Sequence, residues 1–479
     1  MPLPDVDSVS SSYNRLISEE LDYDIPNLKN EFEQLYIALT SEQQNIFDDI
    51  ITAINNNEGG VFFVYGYGGT GKTYLWKTLS VAVRCNAQIV LNVASSGIAS
   101  LLLTSGRTAH SWFIIPLLLT EVSFCSISPD SELASLLRKT SLIIWDEAPM
   151  IHKHAFEALD RTLKDIFKCD DSRNSNLPFG GKVIVFGGDF KQIFPVIPTG
   201  SRQDIVNASL REGKLGGSND GEAISDIPDD LLINDPYDPI GSLIEFVYPS
   251  ILEASSIPKY FQERAILAPK NEVVGKINDR FLKLFPGDKV EYLSLDKLCE
   301  YEFVHDHFDA NLYSPDVLNG LKVSGLPDHK LVLKIGVPVM LLRNIDQKNG
   351  LCNGTRLQVI SLGKRVIEAV IITGSNIGNR TFIPRMTLTP FEKKISFKFQ
   401  RRQFPLAVCF AMTINKSQGQ SLSKVGLFFK DPVFTHGQLY VALSRVQSRE
   451  GLKLLILDKD GRLTNKTSNV VYKQVFRNL

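Results

Sequence analysis

From about residue 39 onward the chain alternates short apolar runs with longer amphipathic stretches. Apolar runs at 61–65, 88–93, 141–145 and 182–186, bounded by glycine or polar residues, predict buried strands. Between them, apolar residues at helical spacing predict helices near 72–84, 95–104 and 151–167. Such alternation predicts an α/β fold with a parallel sheet and crossover helices. Residues 1–38 are polar and acidic and read as an arm with one helix near 28–38. Residues 211–242 are rich in Gly, Asp and Pro and read as an exposed, acidic linker. A second α/β pattern begins at "RAILAPKNEVVGKINDRFLKLF" (264–285). From about 332 to 403, short β-like runs broken by "NIDQKNG", "NGT" and "GSNIGN" predict a small antiparallel barrel. The α/β pattern resumes at "FAMTINKSQGQS" and ends near "KLLILDKD" (453–460).

Bulk properties narrow the partners. A chain of 479 residues should form two or more domains. A net charge of −1 creates no global positive field, so any nucleic-acid contact needs a local groove. Six cysteines (85, 125, 169, 299, 352, 409) contain no CxxC pair, which argues for a reducing compartment and against a zinc site or disulfide framework. No apolar stretch reaches membrane-spanning length, and the N-terminus shows no apolar signal core.

Four glycines in "VYGYGGTGKTYLW" (64–76) change the picture. Gly66-x-x-x-x-Gly71-Lys72-Thr73 is the P-loop pattern, and it lies between a predicted strand and a predicted helix, as the motif requires. Gly66, Gly68, Gly69 and Gly71, with Thr70, let backbone N–H groups converge on a phosphate at a helix N-terminus. Lys72 is placed to reach the β- and γ-phosphates, and the Thr73 hydroxyl to ligate Mg²⁺. A nucleoside triphosphate such as ATP is the implied ligand.

Other blocks carry candidate chemistry. "LIIWDEAPM" (142–150) ends a buried strand in two carboxylates. Asp146 suits a Mg²⁺ contact and Glu147 suits polarisation of an attacking water. The alternative, a solvated loop after a strand, is disfavoured by the P-loop upstream. In "GKVIVFGGDFKQIFPV" (181–196), Gln192 is either a γ-phosphate sensor or a surface-loop glutamine. "SSGIASLLLTSGRTAHSWF" (95–113) places Thr108 and His110 where they either grip a sugar-phosphate backbone or serve the fold. "INKSQGQSLSKVGLFF" (414–429) offers Lys416 and Ser417 before a glycine, like another phosphate-facing loop. Arg445, near the end of "HGQLYVALSRV", is either a helix-dipole partner or an arginine finger. "KISFKFQRR" (394–402) alternates cationic and aromatic residues, as a strand contact or as a lysine-protected β edge.

In this order the blocks resemble the Pif family (petite integration frequency helicases), superfamily-one motors that unwind DNA 5′ to 3′, in a variant like that of plant and rolling-circle-transposon proteins. The resemblance covers about residues 39–460. "LTSEQQ" (39–44) matches the adenine-recognising Q motif, with Gln43 in the key place. "ERAILAPKN", "LLRNIDQKNGLCNGTRL", "FAMTINKSQGQS" and "LYVALSRV" match the second motor domain. The resemblance implies two RecA-like motor domains, at 39–210 and at 251–331 with 404–479, and ATP in the cleft between them. It implies an SH3-like insertion at 332–403 and a short wedge element within 114–140. Gln43, Gly66 to Thr73, Asp146, Glu147, Gln192 and Arg445 would hold and hydrolyse ATP with Mg²⁺; Thr108, His110, Lys416 and Ser417 would line the DNA track. The implied partners are single-stranded and 5′-tailed duplex DNA, with roles in repair, recombination and telomere upkeep, in a monomer located in the nucleus, with the mitochondrion as the alternative.

Two departures stand out. Asn415 occupies a place where relatives outside the plant-like group often carry histidine. More consequentially, Leu210 runs straight into "REGKLGGSNDGE", without the strand, the "Leu-Thr-x-Asn-x-Arg"-like block and the helix that follow in the family. This implies a shortened first motor domain at 39–210, followed by a linker at 211–250 in which a family segment is lost, and with it a second functional reading: a weakened nucleotide- and DNA-binding remnant of the motor. A P-loop ATPase acting on protein or RNA is a third, disfavoured by the pair "TINKSQGQS" and "LYVALSRV".

Overall fold

The computed structural model describes residues 14–168, 177–197, 201–210, 222–254, 257–299, 314–390 apart from 324, 348 and 375, and 397–472. The first part of the expected arm, Cys169, the start of the expected linker (211–221) and the first residues of "KISFKFQRR" lie outside them. The chain divides into two compact units, Met1–Ser218 with Tyr472–Leu479, and Asn219–Val471.

Unit 1 is built on strands β1 (Gly60–Tyr65), β2 (Ile89–Ala94), β3 (Arg107–Thr108), β4 (Thr140–Asp146) and β5 (Val183–Gly188). They pair in parallel in the order β1-β5-β4-β2-β3. The helices are α1 (Arg15–Leu21), α2 (Ile25–Ile37), α3 (Ser41–Asn56), α4 (Lys72–Cys85), α5 (Gly97–Ser100), α6 (Ala109–Trp112), α7 (Glu132–Lys139), α8 (Lys153–Lys168) and α9 (Arg202–Ala208). Successive strand residues point to opposite faces, so Leu142 and Ile144 join α3 and α4 in one core while Ile143 and Trp145 join α7 and α8 in another. That is why β2, β4 and β5 read as continuous apolar runs: both faces are covered.

Two local expectations are revised. The described part of the arm is not free. In α2, Glu31 pairs with Lys77 of α4 at 2.7 Å, and the Leu35 carbonyl accepts from the Tyr74 hydroxyl at 3.2 Å. Just before α2, the Tyr23 ring lies under the Arg84 guanidinium. The helix expected at 95–104 shrinks to α5, and the chain then turns through 101–106, where Ser105 adopts a φ of 55° and Gly106 lies close to the Ser100 carbonyl.

Unit 2 carries strands β6 (Glu222–Asp226), β7 (Arg264–Ala268), β8 (Val290–Leu293), β9 (Leu295–Leu298), β10 (Lys330–Leu333), β11 (Pro338–Leu341), β12 (Arg356–Leu362), β13 (Val366–Ile371), β14 (Arg380–Pro384), β15 (Met386–Leu388), β16 (Phe399–Gln403), β17 (Leu406–Val408), β18 (Ala411–Thr413), β19 (Lys424–Phe429), β20 (Leu452–Ile456) and β21 (Lys466–Val470). A parallel sheet, β18-β7-β19-β20, is flanked by helices Pro239–Val247 and Asn271–Leu284. An antiparallel sheet, β14-β13-β12-β11-β17, packs into the same core, and a smaller one runs β15-β16-β9. Sheet residues therefore extend beyond 332–403 on both sides, through β8 to β10 and through β17. The parallel and antiparallel sheets, each with its helices, make both units α/β.

Candidate functional site

β1 delivers the chain into the glycine loop, and α4 leaves it at Lys72. The Gly66 amide donates to the Gly188 carbonyl at 3.2 Å, tying the loop to the end of β5. Gly71 has a φ of 79°, and a Cβ there would lie 2.6 Å from Gln43 Nε2, so only glycine fits. No side chain caps α4, unlike α3, where Thr40 and Gln43 form a capping box. The first-turn amides of α4 thus face outward with the positive end of the helix dipole, which favours an anion.

Lys72 donates to the carbonyls of Gly66 and Tyr67. Its ammonium bridges the loop where a phosphate would sit. Thr70 is held by its own hydroxyl on the Tyr67 carbonyl at 2.9 Å, and Thr73 is exposed beside it. Both ends of the Gln43 amide are engaged: Nε2 donates to the Thr70 carbonyl at 3.0 Å, and Oε1 accepts from the Thr40 amide at 3.1 Å. Gln43 is therefore a latch on the phosphate loop in this structure.

β4 carries Asp146 to the same end of the sheet, level with Ala94 of β2. Asp146 is buried, and its Oδ1 and the Trp76 indole N–H face one another without closing a well-formed hydrogen bond, neither having another partner among the described residues. Burial pushes the Asp146 carboxyl up, opposed by the Glu147 backbone N–H, then by the Lys72 charge and the Trp76 indole. An orphaned buried carboxylate oxygen near Lys72, with Thr73 at the start of α4, fits a divalent cation with oxygen ligands. Glu147 sits at a φ of 53°, in the left-handed region that a non-glycine residue adopts at a cost. Gln192 is buried, and its turn is closed by its own amide on the Asp189 carbonyl at 3.0 Å.

Gln43, Gly66 to Thr73, Asp146, Glu147 and Gln192 all belong to unit 1, as do Thr108 and His110. Thr108 ends β3 and caps α6 by accepting from the Ser111 amide at 3.4 Å. His110 is half-buried, and burial pushes its imidazole pKa down, favouring the neutral ring. In unit 2, burial likewise pushes the Lys416 ammonium down. Ser417 is fully buried and donates to the Ile414 carbonyl at 2.7 Å, so its side chain serves the turn and not a surface. Asn415 accepts from Gln438 Nε2 at 3.1 Å. Arg445 is held within its own unit, with Nε on the Val441 carbonyl at 3.0 Å and Nη1 on the Gln420 carbonyl at 3.2 Å. The basic-aromatic stripe does not present a cationic face as a whole. Arg401 is fully buried, paired with Asp296 at 2.6 Å and donating to the Leu318, Leu321 and Pro327 carbonyls.

Sequence reasoning missed Trp76 and Gly187. A Cβ on Gly187 would lie 2.4 Å from the Trp76 ring and 3.1 Å from Asp146 Oδ1. The paired glycines ending β5 were the available signal.

The glycine loop, the strand-end carboxylates and the parallel sheet define a P-loop nucleotide-binding domain. A family model described as PIF1-like helicase matches residues 38–218, and one described as DNA helicase Pif1, 2B domain, matches 316–362. The ATP-dependent DNA helicase Pif1 of Bdellovibrio bacteriovorus is 28% identical over 430 residues, covering 88% of this chain and 88% of that protein. The ATP-dependent DNA helicase PIF1 of Danio rerio is 26% identical over 444 residues, 91% of this chain but 64% of its own length. In fold, the chain is similar to Pif1 helicase from Bacteroides, solved with ADP-AlF3 and ssDNA, with a TM-score of 0.59 at 24% identity, covering 90% of this chain and 99% of that one. Similarity to PIF1-like helicases thus runs through both units of the chain.

Proposed function

We propose that this chain is an ATP-dependent DNA helicase that couples hydrolysis to 5′-to-3′ movement along single-stranded DNA and to duplex unwinding, in repair, recombination and telomere maintenance. The observation that carries the reading is the convergence of the uncapped α4 N-terminus, Lys72 and the orphaned Asp146 carboxylate at the sheet end that also carries Thr108. The names of the related proteins support it.

On this reading the loop amides and the α4 N-terminus hold the triphosphate. Lys72 exchanges its two carbonyl partners for phosphate oxygens. Thr73 and Asp146 would hold Mg²⁺, which neutralises phosphate charge when bound. Glu147 takes the proton of the attacking water, and Gln192 orients that water or the γ-phosphate. Arg445 leaves its carbonyl partners to contribute a second cation. Gln43 trades its Thr70 contact for the adenine edge. Thr108, His110 and Lys416 grip the DNA backbone, and Ser417 contributes through its turn. Leu117, Leu118 and Val122, within 114–140, are exposed apolar side chains, which supports the wedge assignment. The antiparallel strands that fall within 332–403, β11 to β14 among them, would make the SH3-like insertion. The test is strand displacement on 5′-tailed and 3′-tailed duplexes with ATP. Unwinding of the 5′-tailed substrate alone is expected; unwinding from the 3′ tail or none would overturn the reading.

A specific observation favours the weakened motor as a second reading. Among the described residues β1 is the edge strand of its sheet, and no further strand follows α9 into it. Val61, Phe63 and Tyr65 on β1 are exposed, as they would be if a covering segment were missing. Nucleotide and DNA binding without unwinding on either tail would select this reading.

A further inference from the structure

β2 carries one polar residue in an otherwise apolar strand, "IVLNVA", in which every position is buried. Asn92 is 4% exposed. A buried amide is tolerated only when hydrogen-bonded, and here each Nδ2 hydrogen has a partner. One goes to the Thr104 carbonyl at 2.8 Å, the other to Ser80 Oγ at 3.0 Å. Ser80 in turn donates to the Trp76 carbonyl at 2.7 Å. Trp76 lies one helical turn after Lys72, and its indole faces the Asp146 carboxylate. At the other end, Thr104 lies in the turn that feeds through Gly106 into β3 and Thr108. The connection runs from the loop before Thr108, through Asn92 and Ser80, to the helix that begins at Lys72.

Leu103 of the loop shares a core with Leu75, Trp76 and Leu79 of α4, so packing also joins the two, and the amide adds a polar tie beside it. A cavity of about 220 Å³ opens between α4 and the loop, lined by Thr73, Trp76, Lys77, Leu102 and Thr104 as well as Asn92. Where side chains leave a gap, the loop is tied to α4 through the amide.

We infer that Asn92 is a positioning residue that couples nucleotide occupancy at the phosphate loop to the grip of the Thr108 segment on DNA. The inference rests on the nucleotide and strand reading above. A shift of α4 on binding triphosphate is transmitted through Ser80 and Asn92 to the Thr104 carbonyl, and by reciprocity DNA binding is felt at α4.

The measurement is the linkage ratio, the Kd for single-stranded DNA without nucleotide divided by that with a non-hydrolysable ATP analogue. Asn92→Leu keeps size and apolar packing but removes both donors and the amide oxygen; Ser80→Ala removes the α4 hydroxyl that accepts from Asn92 and donates to the Trp76 carbonyl. Each variant should bring the ratio toward one, losing ~5-fold or more of the wild-type coupling. ATP affinity measured without DNA should stay near the wild-type value. The double variant should lose no more than either single change, since one chain of bonds is cut twice. Ser80→Ala is mild enough to keep the test open if Asn92→Leu fails to fold. A wild-type ratio retained in the folded variants, or a wild-type ratio of one with both ligands bound, overturns the inference and leaves the functional reading intact. Failure of the wild-type chain to bind either ligand overturns both.

Discussion

Gly187→Ala tests the geometry around Asp146 most sharply. The added methyl would sit 2.4 Å from the Trp76 ring, whereas carbon atoms rest at ~3.5 Å or more. One of them must therefore retreat by ~1 Å. Trp76 is 1% exposed and packed in the α3–α4 core, so its room to move is toward the cavity it lines with Asn92 and Thr104. Overpacking of this kind costs ~1–3 kcal/mol. The same methyl would lie 3.1 Å from Asp146 Oδ1, so the carboxylate shifts too. The carboxylate has to give by only a few tenths of an ångström, short of the ~1 Å misplacement that can cost ~10²-fold in rate, so a smaller loss is expected. The variant should melt lower than wild type, hydrolyse ATP slowly and need more Mg²⁺ for half-maximal rate. Adding Trp76→Phe removes the ring that clashes, so the pair should recover part of the lost stability. Calorimetry and a Mg²⁺ titration of ATP turnover read both effects. A Gly187→Ala protein with wild-type melting and wild-type Mg²⁺ dependence would refute the packing argument.

Three further outcomes follow from the same reasoning. Glu147→Gln should bind ATP and Mg²⁺ normally while slowing hydrolysis by ~10²-fold or more, because the water loses its base; loss of nucleotide binding would make Glu147 structural instead. Arg401→Met leaves Asp296 buried without its partner and should cost ~3–5 kcal/mol, read by urea denaturation; an unchanged midpoint would show that the pair is dispensable. Inserting the segment that the family carries after Leu210 should raise both the melting temperature and DNA-stimulated turnover, by covering β1 and restoring a second arginine; equal values in the two proteins would mean that residues 211–242 replace it.

Much of unit 1 was legible because its central strands are buried on both faces and its loop chemistry is local. Gly66 to Thr73 announce themselves by spacing, and the Asp146–Glu147 pair gains its reading from the P-loop upstream. What periodicity does not carry is which side a partner lies on. The alternation in "KISFKFQRR" gives no sign that Arg401 points inward, because its partner Asp296 is 105 residues away in the chain. Gln43 reads as a base-recognising side chain, yet its contact with Thr70 depends on how α3 meets the loop. Asn92 looks like a flaw in a strand until Ser80 and Thr104 are placed beside it. The strand order, with β5 between β1 and β4, is likewise a matter of tertiary pairing.

The central claim is that ATP turnover in this chain is driven by DNA. Steady-state hydrolysis should be titrated with single-stranded DNA at low salt, in the wild-type chain and in Lys72→Ala. The account predicts a rate that rises to saturation with DNA, falls as salt is added because the contacts are to phosphates, and is abolished in Lys72→Ala. A wild-type rate indifferent to DNA, or a Lys72→Ala rate equal to wild type, would contradict it.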